Sequence, residues 1–158
     1  MQTRDELRDP ITPMSARALA AETPRAYSAA MRTIAVIVAW LVPGGGHLVL
    51  GRFGRALLFF ITLGGSFILG LSIEGRLFWP TVADPPSFMH YDLITVLWSF
   101  AQIGGGLCYV LSYALGFGLS PRPEAATYEY ANTFMILAGL LNYLVVIDAY
   151  DIASGRKR

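Results

Sequence analysis

The sequence predicts an all-α, integral membrane helical bundle of about four transmembrane helices, with a short first helix and a Gly-rich hairpin after it. Three observations predict this class. Of the 158 residues, 54% are hydrophobic and only 15% charged, a balance too apolar for an ordinary water-soluble domain. Three stretches, Leu57 to Ile73, Leu93 to Leu119 and Thr133 to Ile147 extended by Ala131 and Ala149, approach or exceed the roughly 20 apolar residues that a spanning helix needs. Ahead of them, Pro43-Gly-Gly-Gly-His47-Leu-Val-Leu-Gly51-Arg52-Phe-Gly-Arg55 interrupts an apolar run. Pro43 lacks a backbone donor and the glycines relax the chain, so a helix arriving from Ile34 must end or bend there.

In chain order, residues 1–25 form a polar, mobile cytoplasmic tail, because Arg4, Asp5, Glu6, Arg8, Asp9, Arg17, Glu22 and Arg25 punctuate it. No cleaved secretory signal is expected, since the apolar core comes late and runs into glycines rather than a small-residue cleavage site. The membrane domain covers 26–152, with spans near 27–43, 55–73, 92–118 and 131–150, and a basic tail at 153–158. The first span is the short one. Its uninterrupted core, Ile34 to Val42, reaches only about 14 Å at the helical rise. Either it extends back past Arg32, which snorkels, or it dips into the bilayer and returns.

Arginine and lysine bias separates these readings, because cytoplasmic flanks carry the excess. Four spans with both termini inside divide the cations nine against three, and a dipping first segment followed by three spans divides them eight against four. Four spans are therefore expected. A pairing of Asp148 with Arg32 or Arg76 would agree with that count, whereas one with Arg52 or Arg55 would favour the dip. The loop from Glu74 to Asp92 places Phe78, Trp79, Phe88 and Tyr91 at headgroup level, and Tyr128 and Tyr130 form the matching belt.

Candidate functional residues are few. His47, Arg52 and Arg55 lie in the Gly-rich turn as lipid-headgroup or hairpin-locking residues. Gln102, Asn142 and Asp148 are the intramembrane polar contacts, where an amide hydrogen-bonds across helices without further function. Gly104, Cys108, Ser112 and Gly116 recur every four residues as a small-residue packing face, for neighbouring helices of the same chain or for a homo-oligomer. His47 and His90 have no partner ligands at metal spacing, and the glycine run lacks the Lys-Ser/Thr of a phosphate loop. No nucleophile has a base at recognisable spacing. The expectations are thus no enzyme, no cofactor, no metal, and no nucleic acid, since the basic residues do not form a patch.

The turn from Pro43 to Arg55 resembles the glycine-histidine turn of the TM-two domain family. Asn142-Tyr-Leu-Val-Val-Ile-Asp148-Ala-Tyr150 resembles the last helix of small uncharacterised bacterial membrane proteins sharing that turn. The resemblance implies a multi-span protein with no known catalysis, and it carries over no active-site residues. The resulting expectation is a non-enzymatic structural subunit or assembly factor in a bacterial inner membrane, both termini cytoplasmic, touching lipid and other subunits or a second copy. The alternative is a small channel, transporter or lipid-binding protein using the 43–55 turn as a polar site. A transport path should gather Gln102, Asn142, His47 and Asp148 on one wet surface, and a structural subunit should pair or scatter them.

Overall fold

A computed structural model describes residues 26–79, 93–120 and 122–157. The polar tail of residues 1–25, His90, Phe88 and Tyr91 lie outside the described residues. Every regular element among the described residues is helical: α1 (Ala29–Leu41), α2 (Gly45–Val49), α3 (Phe53–Phe59), a π-type turn (Phe60–Gly64), α4 (Gly65–Ser72), α5 (Leu93–Ile103), α6 (Leu107–Ala114) and α7 (Tyr128–Ala153).

The axis of the fold is α7, whose 26 residues give a length of about 39 Å. Against it, antiparallel, runs the continuous helix formed by α3, the π-type turn and α4. Arg55 lies near Asp148 at one end, and the hydroxyl of Thr127 donates to the Ile73 carbonyl at the other. Gly70 makes the approach close, since a Cβ there would meet the Ala131 carbonyl and the Met135 side chain. In the middle, Phe67, Met135 and Ala138 pack with Leu77 and Tyr109 into one buried cluster.

Short α1 starts where α7 ends. The Ser28 hydroxyl caps it by accepting from the Met31 amide at 3.3 Å, and the Tyr27 amide donates to the Ala153 carbonyl. Its Ala35 and Ala39, four residues apart on one face, are fully buried against Ala149 and Ala153. Small side chains on both helices allow that close seam. The helix stops at Leu41 because the residue before a proline is pushed out of helical geometry, and Val42 is extended. The chain then reverses through Gly44, at φ 79°. By Leu50 it has returned to Ile152 and Ala153, beside its starting point. The segment 29–50 is thus a hairpin reaching about halfway along α7. A glycine is required at its centre, because a Cβ on Gly46 would lie 2.6 Å from the Ala35 carbonyl and 2.9 Å from the Ala149 side chain.

A second broken pair mirrors it. The axes of α5 and α6 differ by 114° across Gly104–Gly106. The break lies beside Gly139 and Asn142, and Gly118 beyond α6 has returned to Leu77, whose amide donates to its carbonyl. Gly106, at φ 58°, packs directly onto the Trp40 and Leu41 carbonyls, so the tips of the two pairs touch.

By length and composition, two helices, Phe53–Ser72 and Tyr128–Ala153, are long enough to cross a membrane, and a third qualifies only if α5 and α6 count as one span. The expectation of about four is not reached, because α1 is 13 residues long. The four-residue stripe is also broken. Gly104 precedes the bend and packs on Gly139, Cys108 is half-buried, Ser112 is buried with its hydroxyl on the Cys108 carbonyl, and Gly116 lies past the end of α6 with nothing nearby. Phe78 departs from its place in the belt as well, for it is 4% exposed, whereas Trp79 is exposed and stacks on Tyr113 at 4.6 Å.

Gly139→Ala should lower the thermal midpoint in detergent, because the new methyl group would strike the Ala101 carbonyl at a cost of about 1–3 kcal/mol. Gly64→Ala meets open space and should leave stability equal or higher by up to about 1 kcal/mol. Equal effects would contradict the close contact between the α5–α6 bend and α7.

Candidate functional site

The two chain breaks converge on Asn142. Helix ends leave carbonyl oxygens without partners, and in a buried place each such group must find another donor. Asn142 is fully buried. Its Nδ2 donates toward the Ala39 carbonyl at 3.2 Å, the Trp40 carbonyl at 3.3 Å and the Gly104 carbonyl at 2.9 Å. One amide therefore serves the ends of α1 and α5 together. Its Oδ1 is buried and without a hydrogen bond.

Gln102 does the same one layer away. Its Oε1 accepts from the Phe78 amide at 2.9 Å, and its Nε2 donates to the Arg76 carbonyl at 2.9 Å. The Tyr109 hydroxyl donates to the Phe78 carbonyl at 2.7 Å, and Asn132 Oδ1 accepts from the Arg76 amide at 2.8 Å. These four bonds tie the extended segment after α4 into the bundle.

Asp148 occupies the other polar centre, near the C-terminal end of α7. Its Oδ2 is 3.0 Å from His47 Nε2 and 3.9 Å from Arg55 Nη1, and its Oδ1 is 2.9 Å from Lys157 Nζ. His47 is fully buried, its ring 5.1 Å from that of Phe59. Asp148 side-chain exposure is 27%. The contact with His47 joins residues 101 positions apart and fixes the returning limb of the first hairpin to the end of α7. The hydrogen bond to Asp148, then its charge, raises the Lys157 ammonium above its ordinary value of 10.5.

Of the candidate residues, the structure brings His47, Arg55 and Asp148 together. It places Asn142 at the meeting of the two breaks and Gln102 beside the chain after α4. Arg52 enters through its backbone, its amide donating to the His47 carbonyl and its carbonyl accepting from the Ala56 amide. Asp148 pairs with Arg55 and not with Arg32 or Arg76. Pro43 through His47 are all buried, so the turn lies inside the fold and not at its surface. Sequence reasoning missed Lys157, Asn132 and Tyr109. Lys157 carried a signal, being the one lysine, nine positions past Asp148. Tyr109 and Asn132 carried none, because their partners are backbone groups. No group of three or more His, Cys, Asp or Glu suited to a metal occurs among the described residues.

Asn142→Leu should destabilise the fold by about 1–3 kcal/mol, since it strands buried carbonyls, and should expose amides of Ala35 to Leu41 to hydrogen exchange. A variant with unchanged exchange there would contradict the capping role. For Lys157, a raised value in the fold means that its contact with Asp148 is fully present below pH 10.5 and is lost as pH rises through the raised value. Asp148→Asn should return the ammonium toward 10.5, readable as an NMR titration of the Lys157 side chain.

No curated protein and no solved structure matches the chain. A family model does, over residues 34–158, which begins inside α1 and takes in the rest of the first hairpin, the second pair, Asn142, Asp148 and Lys157. The chain belongs to DUF6677, a family of unknown function.

Proposed function

We propose that this is a non-enzymatic, membrane-embedded structural subunit or assembly factor. The observation that carries the reading is the pairing of its polar residues. Gln102 and the Asn142 amide nitrogen are bonded to backbone groups, and His47 Nε2 pairs with Asp148, while Asn142 Oδ1 and His47 Nδ1 are buried inside the fold and face no open path. A transport path would need such groups free along one wet surface, and a catalyst would need a nucleophile or acid poised toward a cleft. Here they act as locks. Outside, large apolar side chains such as Leu57, Ile61, Leu144 and Ile147 are more than half exposed, the surface that lipid or a neighbouring helix covers.

The same contacts support one arrangement in the bilayer. Two helices cross, α3–α4 and α7, while the hairpin 29–50 enters from the side of the C-terminus and the α5–α6 pair enters from the opposite side. Arg32, Arg52, Arg55, Arg156 and Lys157 then lie at one end, with Arg76 and Arg122 at the other. Arg4, Arg8, Arg17, Arg25 and Arg158 adjoin the first end in sequence, making ten cations against two. That division is steeper than nine against three or eight against four, and it favours a cytoplasmic location for both termini. Irregular backbone at lipid depth is tolerated only where protein shields it, which is the service the Asn142 amide performs. The likeness of the turn to that of the TM-two family supports the hairpin role, and a bacterial inner membrane fits the arginine-rich cation set.

Purification in a gentle detergent should yield a complex larger than the 17.3 kDa chain, with other membrane subunits or a second copy held at a fixed ratio. A monomer that elutes without protein partners at every detergent concentration would contradict the subunit role.

A further inference from the structure

Between the α3–α4 helix and α7 runs a groove of about 630 Å³. Phe59, Leu63, Leu144 and Val145 form its apolar length, and Asp148 and Lys157 close one end. The π-type turn, Phe60–Gly64, supplies part of the wall. Such turns widen a helix and recur at functional sites. The Thr62 hydroxyl, also in the wall, donates back to the Leu58 carbonyl at 2.7 Å, so it presents no unmet polar demand to an occupant.

We propose that this groove holds one anionic phospholipid of the surrounding bilayer, an acyl chain along its apolar length and the phosphate at Arg55 and Lys157. Shape and charge select this occupant. A helix is a cylinder about 10 Å across, which would use the whole volume within about 8 Å of its length; an acyl chain is thin enough to follow the groove. At the charged end, Arg55, Arg156 and Lys157 face only Asp148 and Asp151 among the ion pairs formed there. Asp148 is already shared by His47, Arg55 and Lys157. Lys157 in the groove wall and Arg55 beside it, 3.9 Å from the lining residue Asp148, keep about half of their side-chain surface exposed, 53% and 49%, so their remaining donors can meet a phosphate. That end is also the one holding most of the chain's cations, which puts it at the leaflet where anionic lipid is attracted by basic residues.

The inference rests on the two helices crossing a bilayer and not on the subunit role. The test is native mass spectrometry of the full chain released from detergent with phosphatidylglycerol or phosphatidylcholine of identical acyl chains. Phosphatidylglycerol should be retained about 25-fold more strongly, Arg55 and Lys157 each contributing roughly fivefold. Arg55→Gln with Lys157→Gln should bring the two lipids to parity, and Arg122→Gln, at the other end, should leave the preference intact. Ser66→Phe, which intrudes on the groove wall, should weaken retention of both lipids while the charge preference remains. Equal retention by the unaltered chain, or an equal loss from Arg122→Gln, would overturn the site. Protein that elutes with partner subunits yet shows no lipid preference would reject the lipid site alone and leave the subunit reading standing.

Discussion

The structure depends on finding hydrogen-bond donors for carbonyl groups released where helices break in a buried place. An unpaired buried carbonyl costs on the order of 1–3 kcal/mol, and two helix ends inside one bundle release several. Asn142 answers this with one side chain, reaching both breaks from the middle of the longest helix. The glycines follow from it. Carbonyls at the two tips can come within reach of one amide only if the backbones nearly touch, and Gly104, Gly106 and Gly139 are where they do. Small residues thus set the distance and the amide supplies the bond.

A second layer of order comes from charge. His47 has no local reason to face Asp148; the first hairpin must fold back along α7 before the two can meet. Their contact reports on the completed hairpin and holds it shut, while Arg55 and Lys157 gather the same carboxylate from α3 and from the residues after α7. The first hairpin, the start of α3 and the residues after α7 are joined at one carboxylate. The groove that opens between two of them has its charged end there because the lock is there.

Much of this was legible in the residues. Apolar length gave away α3–α4 and α7, and Pro43 with its glycines marked the first break. Asn142 and Gln102 stand out as amides in apolar surroundings, and in the arginine count a pairing of Asp148 with Arg55 is the sign of a dip. Depth was hidden. Whether Pro43 to His47 lay at a surface or inside depends on what covers them, and the covering groups, the Ala56 carbonyl and the Phe59 and Ala149 side chains, say nothing about this in sequence. The bend at Gly104–Gly106 was hidden too, because three glycines among apolar residues are compatible with a continuous helix, and the four-residue recurrence through Gly116 suggested one. The π-type turn at Phe60–Gly64 has no sequence signature at all.

In the proposed arrangement two helices cross while two hairpins enter from opposite sides and meet on Asn142. The most direct measurement replaces Cys108 with Ala, places single cysteines at residues 52, 76, 122 and 156, and labels intact cells with a membrane-impermeant thiol reagent. Positions 52 and 156 should share one side and 76 and 122 the other. Finding 52 with 122, and 76 with 156, would mean that the broken pair crosses the membrane, which would rule this arrangement out.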